Sequence, residues 1–103
     1  MKPNITMFFP AYNEEGNIKK LVKDAETILK KTADKHEIII VLYEGSTDST
    51  KVIVNELMKK NKNLKLVMQA KNLKGVGYAI KMGFDAAKYD LIFYADSDNQ
   101  FDL

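Results

Sequence analysis

Apolar residues along this chain follow two alternating rhythms. Short, nearly continuous apolar runs occupy residues 5–9, 38–43, 64–68 and 91–95, each of strand length. The stretches between them repeat at helical spacing. Ile18, Leu21, Val22, Ala25, Ile28 and Leu29 predict an amphipathic helix over residues 14–31. Asn13 is its predicted N-cap, with Glu14 and Glu15 at the positive end of the helix dipole. Pro10 is expected to close the first strand. Gly45-Ser46-Thr47-Asp48 breaks the second run and supplies caps for a helix reaching Lys60, with Ile53, Val54 and Leu57 inward. After a loop at residues 72–77, Val76, Ala79, Ile80, Gly83 and Ala87 share one face of a third helix.

The alternation predicts an α/β fold. It is a three-layer, Rossmann-like parallel sheet of four strands alternating with three helices, joined by right-handed crossovers. Ligands of such sheets bind beyond the carboxyl ends of the strands. That rule gathers Pro10-Ala11-Tyr12-Asn13, Glu44-Gly45-Ser46, residues 72–77 and residues 96–98 at one end. The run Leu91-Ile92-Phe93-Tyr94-Ala95 suits a strand buried on both faces. As the edge of a four-stranded sheet it would invite pairing. Two expectations follow: the chain self-associates through that edge, and the natural sheet continues beyond residue 103.

Length and charge narrow the partners. At 103 residues the chain has room for one domain and one core. A net charge of +2 gives no case for nucleic acid or for a membrane surface. All 16 basic residues are lysines, so a bidentate guanidinium clamp on phosphate is excluded. Phosphate recognition is left to lysine, backbone N–H groups and metal. The absence of cysteine excludes disulfides, zinc–thiolate sites and thiol chemistry, and fits a cytoplasmic protein. The longest apolar run is far too short to span a bilayer.

Four segments carry candidate chemistry. Asp96-Ser97-Asp98 sets two carboxylates one residue apart after the last strand. They can hold Mg²⁺ or Mn²⁺ against a diphosphate, or form a polar turn that caps backbone N–H groups. Glu44 can accept from a base N–H or a ribose hydroxyl, while Ser46, Thr47 and Asp48 are explained equally well as helix caps. Tyr12 can stack on a nucleobase or pack its own loop. Lys74-Gly75-Val76-Gly77 resembles a phosphate-cradling turn, but it follows the third strand and lacks the dinucleotide-binding pattern. His36 reads as a surface residue.

Taken together these motifs resemble the family 2 glycosyltransferases of the GT-A fold. Phe9-Pro10-Ala11-Tyr12-Asn13-Glu14-Glu15 resembles the family's opening motif. Residues 39–48 resemble its second signature, usually written V-D-D-G-S-T-D, and residues 72–79 its third. Asp96-Ser97-Asp98 resembles its D-x-D. The trailing Asn99-Gln100-Phe101-Asp102 is similar to the Q-F-D of members acting on polyprenyl phosphates.

The resemblance implies transfer of a sugar, with inversion, from a nucleotide-diphosphate donor to a lipid-linked or saccharide acceptor. It implies donor contacts from Pro10, Ala11, Tyr12 and Glu14 in the first loop and from Glu44 and Ser46 in the second. Lys74 and Gly75 would border the nucleoside. Asp96 would lie near the ribose, with Ser97 also at the donor, and Asp96 and Asp98 at the divalent metal. Residues 1–103 are then the nucleotide-sugar-binding half of the domain, cut after D-x-D. The family's general base falls beyond residue 103, so no catalytic residue is assigned and the chain alone is expected to be inactive. The full-length protein is expected at the inner face of the membrane. Two departures stand out: Tyr43-Glu44 replaces the usual Asp-Asp pair, and the acceptor half is missing.

Other classes fit less well. A stand-alone nucleotide-binding module should have a covered or charged edge. A haloacid-dehalogenase-type phosphatase carries its D-x-D on the first strand. A two-component receiver needs an acidic pair where Pro10-Ala11 stands, and a sugar nucleotidyltransferase needs a Gly-rich basic loop there.

Overall fold

The computed structural model describes residues 2–95. The elements are β1 (Ile5–Ala11), α1 (Ile18–Thr32), β2 (His36–Tyr43), α2 (Thr50–Lys60), β3 (Leu64–Gln69), α3 (Val76–Ala86) and β4 (Leu91–Tyr94). Among the described residues the strands form one parallel sheet in the order β3-β2-β1-β4. The chain steps outward from β1 to β3, then returns across the sheet to place β4 on the other side of β1. Right-handed crossovers made in opposite directions put their helices on opposite faces.

The side chains follow that geometry. Ile38, Ile40 and Leu42 of β2 pack with Phe9 against Leu21, Ala25 and Leu29 of α1 and Val54 of α2. Their alternates Ile39 and Val41 pack with Phe8 against Ala79 and Ile80 of α3. β2 has neighbours on both edges and both faces, which is why Ile38 to Leu42 are all apolar and buried. The expected three-layer α/β architecture is present.

Pro10 does not close β1. The strand runs on to Ala11, with Pro10 opposite Val41 and Ala11 opposite Leu42. The Ile5 N–H bonds toward β2, at Lys35, whereas the Phe8 carbonyl accepts from Ala95 on the β4 side. By alternation Pro10 also turns toward β4, past the last β1–β4 pair, Phe8 with Tyr94. Its missing donor therefore costs the β1–β2 ladder nothing.

Among the described residues β4 is an edge strand. Leu91, Phe93 and Tyr94 are 41%, 50% and 50% exposed, so the burial on both faces that its composition suits is not reached here. Tyr94 stacks on Phe8 at 5.5 Å, and Phe84 meets the same ring edge-on.

The amino ends of the strands are fastened by polar contacts. Buried Glu37 accepts from the Thr6 hydroxyl at 2.7 Å and from the Lys88 backbone N–H, and it pairs with Lys65. Burial pushes its carboxyl pKa up, but the bonds from Lys65, Thr6 and Lys88 outweigh that and hold it below the ordinary value. His36 is not the surface residue its charged neighbours imply. Its ring meets Glu26 of α1 at 2.9 Å, and the other Glu26 oxygen accepts from Asn61 at the end of α2. Among the described residues no helix is long and apolar enough to cross a membrane.

Candidate functional site

The described strands are all parallel, so the loops beyond the carboxyl ends of β1, β2 and β3 meet at one end of the sheet. The first two are tied together by Asn13. This residue adopts φ +50°, a conformation that asparagine tolerates better than most side chains. Its Oδ1 accepts from the backbone N–H groups of Thr47 (2.7 Å) and Asp48 (3.2 Å) and from the Ser46 hydroxyl (2.9 Å). Its own N–H donates to Ser46 Oγ at 2.7 Å.

Asn13 therefore does not cap α1, as its position in the sequence predicts. That helix starts four residues later than expected, at Ile18, after a turn in which Asn17 and Ile18 donate to the Glu14 carbonyl. The oxygen that would cap α1 is spent on the neighbouring loop.

Asp48 completes the tie. Its Oδ1 accepts from the backbone N–H and hydroxyl of Thr50, and its Oδ2 from the Glu15 N–H at 3.0 Å. Burial raises the Asp48 pKa, yet the Thr50 hydroxyl and these N–H groups together hold it below the usual range. The Glu14 N–H donates to the fully buried Thr50 hydroxyl oxygen at 2.8 Å. Asp48 thus takes the first backbone N–H of α2, that of Thr50. Ser46 and Thr47, the other expected caps, contact Asn13 instead.

The third loop is held from two sides. Gln69, buried at the end of β3, donates its amide to the carbonyls of Leu73 (2.5 Å) and Gly75 (3.0 Å). Gly75 sits at φ +104°, which favours glycine. From β2, the Tyr43 hydroxyl donates to the Lys71 carbonyl at 3.0 Å, and Glu44 Oε2 accepts the Lys71 N–H at 3.2 Å. The Tyr12 ring lies 5.7 Å from that of Tyr43, tilted by 58°.

Between the second and third loops lies a cavity of about 370 Å³, lined by Leu42, Tyr43, Glu44, Ser46, Asp48, Lys51, Met68 and Lys71. Its size falls within the usual range for small-molecule sites, and it combines apolar floor, carboxylate and lysine. Of the residues singled out from the sequence, Glu44, Ser46 and Asp48 line it. Tyr12, 57% exposed, stands against its Tyr43 wall. Ala11 is buried, while Pro10 and Glu14 are half-buried at the end of β1. Lys74 and Gly75 are exposed in the third loop, away from the cavity lining.

Asp96, Ser97 and Asp98 lie outside the described residues, following directly on Ala95. Among the described residues no group of three or more His, Cys, Asp or Glu side chains could hold a metal. Sequence reasoning marked Tyr43 only as a departure from the acidic pair, and it missed Gln69, Lys51 and Lys71. Only Gln69 announces itself, as a polar residue ending an apolar strand.

Comparison with known proteins places this arrangement. Residues 6–103 match the family described as glycosyl transferase family 2. An uncharacterized protein of Methanocaldococcus jannaschii is 39% identical over 95 residues, covering 88% of this chain and 38% of its own length. A dolichyl-phosphate beta-glucosyltransferase of Trichomonas vaginalis is 31% identical over 98 residues, covering 91% of this chain and 30% of its own length. The chain thus spans well under half of these relatives. Among solved structures, a mannosyltransferase from Pyrobaculum calidifontis in complex with GDP-Man and Mn²⁺ superposes with a TM-score of 0.76. It is 23% identical and covers 95% of this chain and 28% of its own, which establishes a shared GT-A fold. By its sequence, the chain belongs to glycosyl transferase family 2.

Proposed function

We propose that this chain binds the nucleoside diphosphate of a sugar donor across the carboxyl ends of β1, β2 and β3, as the donor-binding part of an inverting glycosyltransferase. The observation that carries this reading is the joined group of Tyr12, Tyr43, Glu44 and Lys71 around a cavity of nucleoside size. Tyr12 offers an exposed aromatic face for a base. Glu44 has Oε2 held by the Lys71 N–H, which leaves Oε1 to accept from a base N–H or a ribose hydroxyl. Lys51 and Lys71 bring positive charge to the same cavity, where this arginine-free chain has only lysine to offer.

Asp96 and Asp98 are hard oxygen donors suited to Mg²⁺ or Mn²⁺, and we assign the metal to them. A bound divalent cation would offset the charge that gathers on the departing diphosphate. The relative that acts on dolichyl phosphate supports a polyprenyl phosphate as acceptor. That acceptor, and the general base that would take its proton, belong to the whole enzyme and not to the residues described here.

Calorimetric titration with UDP, GDP, CDP and dTDP, with and without Mn²⁺, tests this. One nucleotide should bind, Mn²⁺ should tighten it, and Asp98→Ala should abolish the Mn²⁺ effect. Glu44→Ala should weaken binding about tenfold, the loss of a hydrogen bond to a charged acceptor. A folded chain that binds none of the four would refute the proposal.

A further inference from the structure

The position occupied by Tyr43 carries an acid in the family signature quoted above, and the structure gives the tyrosine work that an acid could not do. We infer that Tyr43 is the positioning residue that holds the three nucleotide-facing loops in register, and that it does so before any ligand arrives. The inference deepens the proposed nucleotide site and rests on that reading.

Three contacts carry it, one to each loop. The Tyr43 ring packs beside Tyr12 at 5.7 Å, giving the exposed Tyr12 its described ring partner. The ring also covers Gly45 so closely that a Cβ there would overlap it, which explains a glycine at the start of the second loop. Its hydroxyl donates to the Lys71 carbonyl at 3.0 Å. Because Glu44 accepts the Lys71 N–H, two successive residues at the end of β2 hold both backbone polar groups of Lys71. A carboxylate at residue 43 could only accept hydrogen bonds, so it could not bond the Lys71 carbonyl. It would also offer no ring to Tyr12.

The consequence is pre-organisation. Residues 71–75 connect Lys71 of the cavity to Lys74 and Gly75. If that segment were loose, binding would include the cost of ordering it. With Tyr43 in place, part of that ordering is already complete in the free protein.

The test combines hydrogen exchange with calorimetry on the 103-residue chain and its Tyr43→Phe, Tyr43→Asp and Tyr43→Ala variants. Tyr43→Phe keeps the ring and removes only the hydroxyl. It should speed exchange of the Lys71 and Leu73 amides about threefold to tenfold, the value of one neutral hydrogen bond, with the β1 and β2 amides unchanged. Affinity for the nucleotide that binds the parent chain should fall by a similar factor. Tyr43→Asp and Tyr43→Ala should exceed Tyr43→Phe in both readouts.

Unchanged exchange at residues 71–75 in Tyr43→Phe and Tyr43→Ala would overturn the inference. So would acceleration spread evenly over the strands, because that marks general destabilisation. The exchange measurement needs no nucleotide. If the parent chain binds none, the proposed function falls and the loop-positioning role is still decided.

Discussion

Replacing Asn13 by alanine is the sharpest test of how the site is assembled. The substitution removes the acceptor of three hydrogen bonds, from Thr47, Asp48 and the Ser46 hydroxyl. All three are solvent-exposed, so water replaces them in part, and each is worth about 0.5 kcal/mol, the low end of the range. Alanine must also adopt φ +50°, which costs about 1 kcal/mol for a residue with a Cβ. The expected loss is about 2.5 kcal/mol, a fall in Tm of about 10 °C or more for a domain of this size.

Asn13→Gly separates the two causes. It loses the same bonds but escapes the backbone strain, and part of that gain is offset by its more flexible unfolded state. It should cost about 2 kcal/mol, visibly less than alanine. Urea and thermal unfolding followed by circular dichroism provide the assay. Had Asn13 been an ordinary cap of α1, glycine would cost only a few tenths of a kcal/mol. An alanine variant within about 0.5 kcal/mol of the parent, or a glycine variant no milder than alanine, would refute the loop-tying role.

Two further outcomes are expected from the body of the fold. Gly83→Ala adds a Cβ that overlaps the ring of Phe8, which is fully buried between Phe84 and Tyr94 and cannot move aside. Overpacking of about 2 kcal/mol should outweigh the gain of about 1 kcal/mol in helix propensity, so chemical denaturation should show a net loss, and a more stable variant would contradict this packing. At the other end of the sheet, the Glu37 pKa is lower in the folded state than in the unfolded chain. Its contribution is therefore complete above the unfolded value, about 4.3, and is lost as pH falls through the folded value. Glu37→Gln should cost about 2 kcal/mol at neutral pH and flatten the acid limb of a stability–pH profile; an unchanged acid limb would assign acid sensitivity elsewhere.

Much of the scaffold was legible because its signals are local. Ile38 to Leu42 form an unbroken apolar run because β2 is covered on both faces, and that run is visible without a partner. Ile18, Leu21, Val22, Ala25 and Leu29 mark the buried stripe of α1 through the helical period alone. The motif at residues 9–15 and Glu44 likewise lie at the carboxyl end of the sheet, where the α/β alternation places them. Where reasoning along the chain failed, it credited a residue with serving its neighbours in sequence. Asn13 was matched to α1, yet its partners lie 33 to 35 residues away. His36 was read from adjacent charges, yet it is held by Glu26 and, through Glu26, by Asn61. Pro10 was read as a stop, yet its missing N–H falls on the side of β1 where the described pairing with β4 has ended.

The sequence by itself determined the elements, their α/β alternation, and the end of the sheet at which its polar motifs gather. Those properties depend on the period of burial and on turn chemistry, both of which operate over a few residues. Only the tertiary structure decided the strand order β3-β2-β1-β4, the exposure of β4, and the roles of Asn13, Tyr43 and Asp48 in joining the loops. Each of these depends on which crossover passes over which face. A side chain at the end of one strand finds its partner on another loop only after the sheet has brought the two together.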